Sequence, residues 1–458
     1  MHPPSDVFKT PNIKMLNLKN ILSIISSAPN WINILLMRIN INPKIIFGKK
    51  YEETYKKFCS FEESEFLEFF NKTKQNNKFY ENTQLSRSIV NSISEFKKEI
   101  PLIDKDLVLK NLEKITSKDL SGADLCTTGG TSGKPLKIYL PKNRYTKELG
   151  ALHALWSGIG YKFSARAVVR NERLKCRNFI VNPITKEFIF DGFRSDENYL
   201  HLIYNTMKKH RIKYFHGYTS NAERFTRFLL DQKLDYTFLE GIITSSENLY
   251  THQVKLFEKL EGVKHLNFYG HSEKLILGGW CNSGKCYHFY NSYGFAELVD
   301  SSGKDVTIPG DIGELVGSTN YNHYMPLFRY KTGDFARKAP EQCPGCGFQG
   351  LSVYEILGRW TGEKIYTGSN DFITTTAMNL HSDIYEHIAG LQYYQPSKGL
   401  LEIRVVPTTS YSDRIELSLK NQIQQFCGLS TTVTIKRVND VERHLNGKYR
   451  LLISDVMQ

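Results

Sequence analysis

Thr127-Thr-Gly-Gly-Thr-Ser-Gly-Lys-Pro135 puts three glycines and four hydroxyl residues into nine positions. Such a stretch cannot stack a hydrophobic core. It can present backbone N–H groups and hydroxyl donors to an anion, because glycine lets the backbone approach closely. The segment lacks the strand–GxxxxGK[ST]–helix spacing of a Walker A loop. Taken alone it fits either a phosphate cradle or a plain hairpin turn, and its neighbours must decide.

On the C-terminal side, from about 121 to 330, short β-rich apolar runs alternate with helical ones. Ala167–Arg170, Tyr214–Tyr218, Gly241–Ser245 and His265–Tyr269 are expected as strands. Ser220–Gln232 and Tyr250–Leu260 are expected as helices between them. This alternation predicts an α/β sheet covered by helices. Gly270, directly after an apolar run, places a loop at a strand's C-terminal end, where such sheets hold ligands. On the N-terminal side, residues 51–120 are expected to be largely helical. Beyond Gly358–Gly362 the texture changes to a small α+β unit, with strands expected at Leu401–Pro407, Arg414–Leu419 and Thr432–Lys436. The division expected is a basic helical extension over 1–70, a large α/β domain over 71–358 and a small domain over 359–458. At 458 residues, more than one domain is required.

The net charge of +13 is uneven: Lys9, Lys14, Lys19, Arg38, Lys44, Lys49 and Lys50 face only Asp6 within the first fifty residues. A basic excess can serve nucleic acid, anionic lipid or a phosphorylated substrate, or simply be a solvated surface. No recognition-helix, RNP or zinc-finger pattern is present, so no nucleic-acid partner is expected. Asn20–Met37 is uncharged and apolar, but Pro29, Asn30 and Asn33 interrupt it. That makes a poor membrane span and a poor signal peptide. Two short amphipathic helices flanking Pro29 are expected instead, docked on the protein or resting on a membrane surface. The expected location is the cytoplasm.

Several further segments carry chemistry-bearing residues in chain order: Pro101-Leu-Ile-Asp-Lys105, Thr244-Ser-Ser-Glu-Asn-Leu249, Tyr269-Gly-His-Ser-Glu273, Tyr330-Lys-Thr-Gly-Asp334, Gly358-Arg359 and Asn446-Gly-Lys-Tyr-Arg450. Each has a bland reading: a Thr-Gly-Asp turn for Asp334, a hairpin turn for Asn446-Gly-Lys448. Each also has a chemical one. A carboxylate at Glu273 suits a hard cation that bridges phosphates, and a carboxylate at Asp334 can accept two hydrogen bonds from a vicinal diol.

Together these segments resemble the adenylate-forming superfamily of acyl-CoA synthetases, adenylation domains and luciferases. The form TTGGTSGKPLKIYL looks like the phenylacetate–CoA ligase branch, and most of all the CapK-type proteins of polysaccharide loci. The stretches GRW, TTTAMNLHSDIYEHIAGLQYYQ and LLEIRVVP look like the CapK-type C-terminal domain. The resemblance runs from about residue 75 to the end. It implies a large N-terminal domain of mixed sheets and helices with a small mobile C-terminal one.

It also implies ATP and Mg2+ as cofactors. Thr127, Thr128, Gly129, Gly130, Thr131, Ser132, Gly133 and Lys134 would hold the phosphates. Tyr269, followed by Gly270 and Ser272, would stack on adenine, Glu273 would hold Mg2+, and Asp334 would hold both ribose hydroxyls. Arg359 would contact ribose or phosphate, and Lys448 would be the catalytic lysine. The substrates implied are a carboxylic acid and ATP, with CoA or a sugar or carrier nucleophile as acceptor. The chain departs from the family at the hinge, where Trp360-Thr-Gly-Glu363 stands in place of the usual Asp. The rival from another class is a zinc-stabilised binding protein of the same fold that has lost catalysis.

Eight cysteines without a secretory signal are expected as reduced thiols or metal ligands. Cys343-Pro-Gly-Cys346 is a tight knuckle and Cys281-x4-Cys286 a second pair, so four thiolates could hold a structural Zn2+ within 281–346. His288 is an alternative to Cys286. Some members of the phenylacetate–CoA ligase branch carry a structural zinc in this region. Two reduced cysteine pairs without metal are the bland alternative.

Overall fold

The computed structural model describes residues 28–39, 41–81, 89–127, 136–170, 172–174, 177–194, 196–247, 249–357, 364–369, 371–375, 378, 384, 387–442 and 451–456. The chain packs as two compact units. One holds residues 1–58, 142–244 and 251–266; the other holds 59–141, 245–250 and 267–458.

The first unit is built on parallel pairing. Arg166–Arg170 pairs in parallel with Glu187–Asp191 on one side and with Tyr214–Tyr218 on the other. Ile180–Asn182 closes the edge antiparallel to Glu187–Asp191. Val168, Val169, Phe188, Phe190, Tyr214 and Phe215 are buried, as expected of strands covered on both faces. The helices Glu197–His210 and Thr219–Asp231 follow their strands, the second where a helix was expected. The first starts on an Asp196 side chain that accepts the Tyr199 N–H, a capping bond that satisfies an otherwise orphan donor.

In the second unit, the strands run in the order Gly294–Val299, Ile312–Thr319, Tyr330–Lys338, Ser352–Ile356, Cys286–Phe289, Leu277–Cys281 and then Lys264–Gly270. Adjacent pairs are antiparallel. A core of Leu136, Ile138, Leu140, Leu275, Ile276, Phe289, Leu315, Leu327 and Val353 fills this region. Short helices between Glu63 and Ile115 bear out the helical expectation for 51–120. Phe66, Phe70, Phe96, Phe295 and Phe328 make a second, aromatic core there.

Within 388–442 and 451–456 lies a four-stranded sheet, ordered Thr432–Arg437, Leu400–Pro407, Ile388–Gln395, Leu452–Ser454. It has its own core of Leu391, Tyr393, Leu401, Ile403, Val405, Leu419, Ile423 and Val433. One expectation fails here. Arg414–Leu419 is not a strand but part of the helix Asp413–Cys427. Its six residues alternate apolar and polar, which suits a strand, but Leu419, Ile423 and Cys427 continue at four-residue spacing and are buried. Ser412 caps the start through Ile415 N–H, and Gly428, at φ 76°, ends it.

Candidate nucleotide site and metal centre

The flanks of the Gly/Ser/Thr loop pair as antiparallel strands, Ala123–Thr127 against Lys137–Pro141, with Thr127 opposite Lys137. Thr127 is half-buried at the end of its strand. Thr128, Gly129, Gly130, Thr131, Ser132, Gly133 and Lys134 lie outside the described residues, as do Arg359 and Lys448.

The other predicted residues converge. Tyr269 and Gly270 end the strand Lys264–Gly270, and Ser272 follows in the next loop, half-buried. Asp334 comes from a strand four places away in the sheet's order, yet the Tyr269 hydroxyl donates to its Oδ2 at 2.7 Å. Two residues 65 positions apart, each assigned to one nucleotide by resemblance, are thus in direct contact. Tyr269 also packs edge-on against Phe289, centroids 5.8 Å apart, which fixes one edge of its ring.

The Tyr330–Asp334 turn is held by residues that the motif reading overlooked. Glu314 accepts the Gly333 N–H at 3.0 Å and pairs with Lys331 Nζ at 2.9 Å. Thr332 Oγ1 donates to Leu315 O and accepts the Asp334 N–H. Gly333 has φ 76°, a conformation that disfavours a side chain. The Pro101–Lys105 segment lies alongside: Ile103 N–H donates to Arg329 O and Lys331 N–H to Ile103 O. Asp104 caps the next helix through Leu107 N–H.

Glu273 is buried. His271 Nδ1 is 2.9 Å from its Oε2, while His271 Nε2 accepts the Ile276 N–H at 3.3 Å. A nitrogen that accepts is unprotonated, so the proton is on Nδ1, which donates to the carboxylate. The Tyr330 hydroxyl stands 3.5 Å from Oε1. A carboxylate has about four acceptor positions, so this hold orients Glu273 and is compatible with a cation. His271 and Glu314 were absent from the sequence-based set; their only signal was a place inside or beside the motifs.

A second cluster lies on the Leu277–Cys281/Cys286–Phe289 hairpin and the Cys343–Cys346 knuckle. The ligating atoms of Cys281, His288, Cys343 and Cys346 all lie within 4.8 Å of one another. His288 Nε2 is 3.2 Å from Cys346 Sγ, and its Nδ1 is held by Ser352 Oγ at 2.9 Å. This leaves Nε2 facing the thiols, the orientation that outer partners impose on metal-binding imidazoles. Burial lowers the His288 pKa to about 4, keeping the ring neutral. Cys286 stands beside the set, opposite Cys281 in the hairpin and 3.9 Å from His288 Nδ1. Burial pushes its thiol up to about 12. For Cys343, burial works against the thiolate, but the N–H groups of Cys346 and Gly345 outweigh it and the pKa is lowered. Gly284 is required: a Cβ there would come within 2.2 Å of Cys343 Sγ. The donor set, three thiols and a neutral imidazole, is one that Zn2+ favours.

In the first unit, Leu152–Tyr161 and His216–Tyr218 also meet. Trp156 packs edge-on against His216, centroids 5.2 Å apart, and Arg166 donates to His216 Nδ1 at 2.9 Å.

Comparison with known proteins now bears on this geometry. Residues 365–455 match the model of the CapK C-terminal domain. The chain is 22% identical over 453 residues to Protein CapK of Staphylococcus aureus, covering 92% of this chain and 96% of that one. It is 34% identical over 119 residues to the phenylacetate–coenzyme A ligase of Thermus thermophilus, covering 25% of this chain and 26% of the other. Among solved structures, 2-hydroxyisobutyryl-CoA ligase in complex with 2-HIB-AMP and CoA in the thioesterification state aligns with a TM-score of 0.51. The identity is 14%, over 98% of this chain and 94% of that one. The chain thus carries a CapK C-terminal domain over residues 365–455, resembles Protein CapK along nearly its whole length and phenylacetate–coenzyme A ligase over a quarter of it, and shares the fold of 2-hydroxyisobutyryl-CoA ligase.

Proposed function

We propose that this chain is an ATP-dependent ligase that activates a carboxylic acid as its acyl-AMP. A substrate carboxylate oxygen attacks the α-phosphorus, the bond to pyrophosphate breaks, and pyrophosphate leaves. An acceptor nucleophile then attacks the acyl carbon and AMP departs. The observation that carries this reading is the Tyr269–Asp334 contact beside a buried, oriented Glu273. Tyr269 offers a ring face for adenine while its hydroxyl aims Asp334 toward the ribose diol. Glu273 holds Mg2+, which neutralises phosphate charge. Thr127–Lys134 cradles the phosphates, Arg359 contacts ribose or phosphate, and the Lys448 ammonium offsets charge that grows in the transition state. Catalysis of this kind rests mainly on positioning.

The small domain, residues 359–458, turns about Arg359–Gly362 to withdraw Lys448 and admit the acceptor. The acceptor is the CoA thiol or an amine or hydroxyl of a sugar or carrier, and the reaction serves surface polysaccharide or related biosynthesis in the cytoplasm. Cys281, His288, Cys343 and Cys346 hold a structural Zn2+; with four protein ligands no position is left for water or substrate. Cys286 is the alternative fourth ligand.

The test is carboxylate-dependent exchange of labelled pyrophosphate into ATP across a panel of acids. Exchange with one acid class, reduced roughly 100-fold or more in Asp334→Ala and Lys448→Ala, supports the reading and names the substrate. Absence of exchange with every acid, together with no ATP binding, returns the chain to the inactive binding protein. Zinc is read separately, as one metal equivalent lost on Cys343→Ser.

A further inference from the structure

The helix Asn30–Met37 in the first unit is amphipathic, but it is mounted with its polar side inward. Asn30 Oδ1 accepts the Val181 N–H at 3.1 Å and its Nδ2 donates to Phe179 O at 2.8 Å. Asn33 Nδ2 donates to Val181 O at 3.1 Å. Val181 lies in the strand Ile180–Asn182, which ends the sheet's order and pairs on one side only. An edge strand leaves backbone N–H and C=O groups that must find partners when covered. The two amides supply them, so the asparagine side of the helix is the side that docks.

That choice turns the apolar side outward. Trp31 is 64% exposed, Leu35 52% and, on the next helix, Ile45 77%; Ile39 and Ile41 between them are exposed as well. Five large apolar side chains within fifteen residues form a patch of a kind that marks an interaction surface. Cations lie close to it in the chain. Arg38, Lys44, Lys49, Lys50, Lys56 and Lys57 face only Glu52 and Glu53 between residues 28 and 57. Lys44 and Lys56 lean on Glu52 and Lys49 on Glu53, and the net charge of the segment is positive.

We infer that this face docks on an anionic lipid surface. Outward aliphatic residues enter the headgroup boundary, a tryptophan sits at the interface, and lysine and arginine meet lipid phosphates. No described helix is long and apolar enough to cross a membrane, so the contact is peripheral. It does not depend on the adenylation reading, because the face lies on the N-terminal helices and requires no ATP. It would bring the enzyme to an acceptor carried at a membrane.

The test is sedimentation of the full chain with vesicles of phosphatidylglycerol or of phosphatidylcholine, beside Leu35→Ser/Ile45→Ser. Both positions are exposed, so the variant should fold, and circular dichroism with the melting curve checks this. The inference requires at least tenfold tighter binding to the anionic vesicles, weakened by salt and lost in the folded variant. Three outcomes overturn it: no vesicle binding by the wild type, as would follow if residues 1–27 cover the face; binding unchanged in the variant; or concentration-dependent self-association that the variant abolishes without any lipid binding.

Discussion

Among the described residues, each compact unit buries an arginine–glutamate pair, and the two pairs are surrounded differently. In the second unit, Arg329 meets Glu297 at 2.9 Å and gives its remaining donors to the carbonyls of Lys97 and Ile100. In the first, Arg166 meets Glu187 at 2.8 Å and gives a donor to the ring of His216. Its guanidinium lies over Trp156, 4.4 Å from the ring. Glu187 is shared with Arg170 at 2.7 Å. The carboxylates respond in opposite directions. Burial raises the Glu297 pKa because Arg329 only partly compensates. At Glu187 burial pushes the same way, but Arg170 and Arg166 outweigh it and the pKa is lowered. The lesson is that a buried ion pair takes its character from its remaining partners. Backbone carbonyls do not titrate, whereas an imidazole does.

The largest effect should come from breaking the carbonyl-anchored pair. Arg329 precedes Tyr330, and its own carbonyl accepts the Ile103 N–H, so it ties the Lys97–Ile103 segment to the strand that carries Asp334. Arg329→Met leaves Glu297 buried and uncompensated, and should cost about 3–5 kcal/mol in denaturant unfolding. Pyrophosphate exchange should fall with it. A loss below about 1 kcal/mol would remove the anchoring role.

A pH effect should come next, and two buried or half-buried histidines of the first unit contribute to it. His153 is buried and His216 half-buried, and desolvation first, then Arg166, holds both well below the usual histidine range. The native state therefore binds fewer protons than the unfolded chain below about pH 6.5. Their stabilisation is complete above that pH and is lost as pH falls. Each adds about 1.4 kcal/mol per pH unit to the slope until its native pKa is reached. Melting followed from pH 7.5 down to 5 should show this slope, and His216→Gln should reduce it by one histidine's share, about 1.4 kcal/mol per pH unit. An unchanged slope would mean that these rings are not what titrates.

The smallest change tests the shared carboxylate. Arg170 is less buried than Arg166, so Arg170→Met should cost only about 1–2 kcal/mol, the range for a hydrogen bond to a charged group. A cost equal to that of Arg166→Met would show that the two cations act as one unit.

Much of this architecture was legible before the coordinates. The strands at Tyr214–Tyr218 and Gly241–Ser245 and the helices that cover them follow from local apolar periodicity, which short-range sterics and burial enforce. Tyr269, Glu273 and Asp334 stand out because their segments resemble adenylate-forming motifs; taken alone, the same residues fit plain turns equally well. Arg414–Leu419 misled because a six-residue window cannot distinguish a strand from one face of a helix whose next turns lie outside it.

What the sequence by itself determined, then, was the order of elements, the motifs and the pool of candidate ligands, since these depend on neighbours along the chain. Only the tertiary structure decided which of them meet. It set Glu314 beneath the Gly333 turn, His271 on Glu273, and His288 with Cys281, Cys343 and Cys346. It also decided that the Asn30–Met37 helix turns its asparagines inward, because the strand at Val181 offered unpaired backbone groups. Contacts between residues far apart in the chain are settled by packing and by the demand that buried polar groups find partners, and no local pattern records that demand.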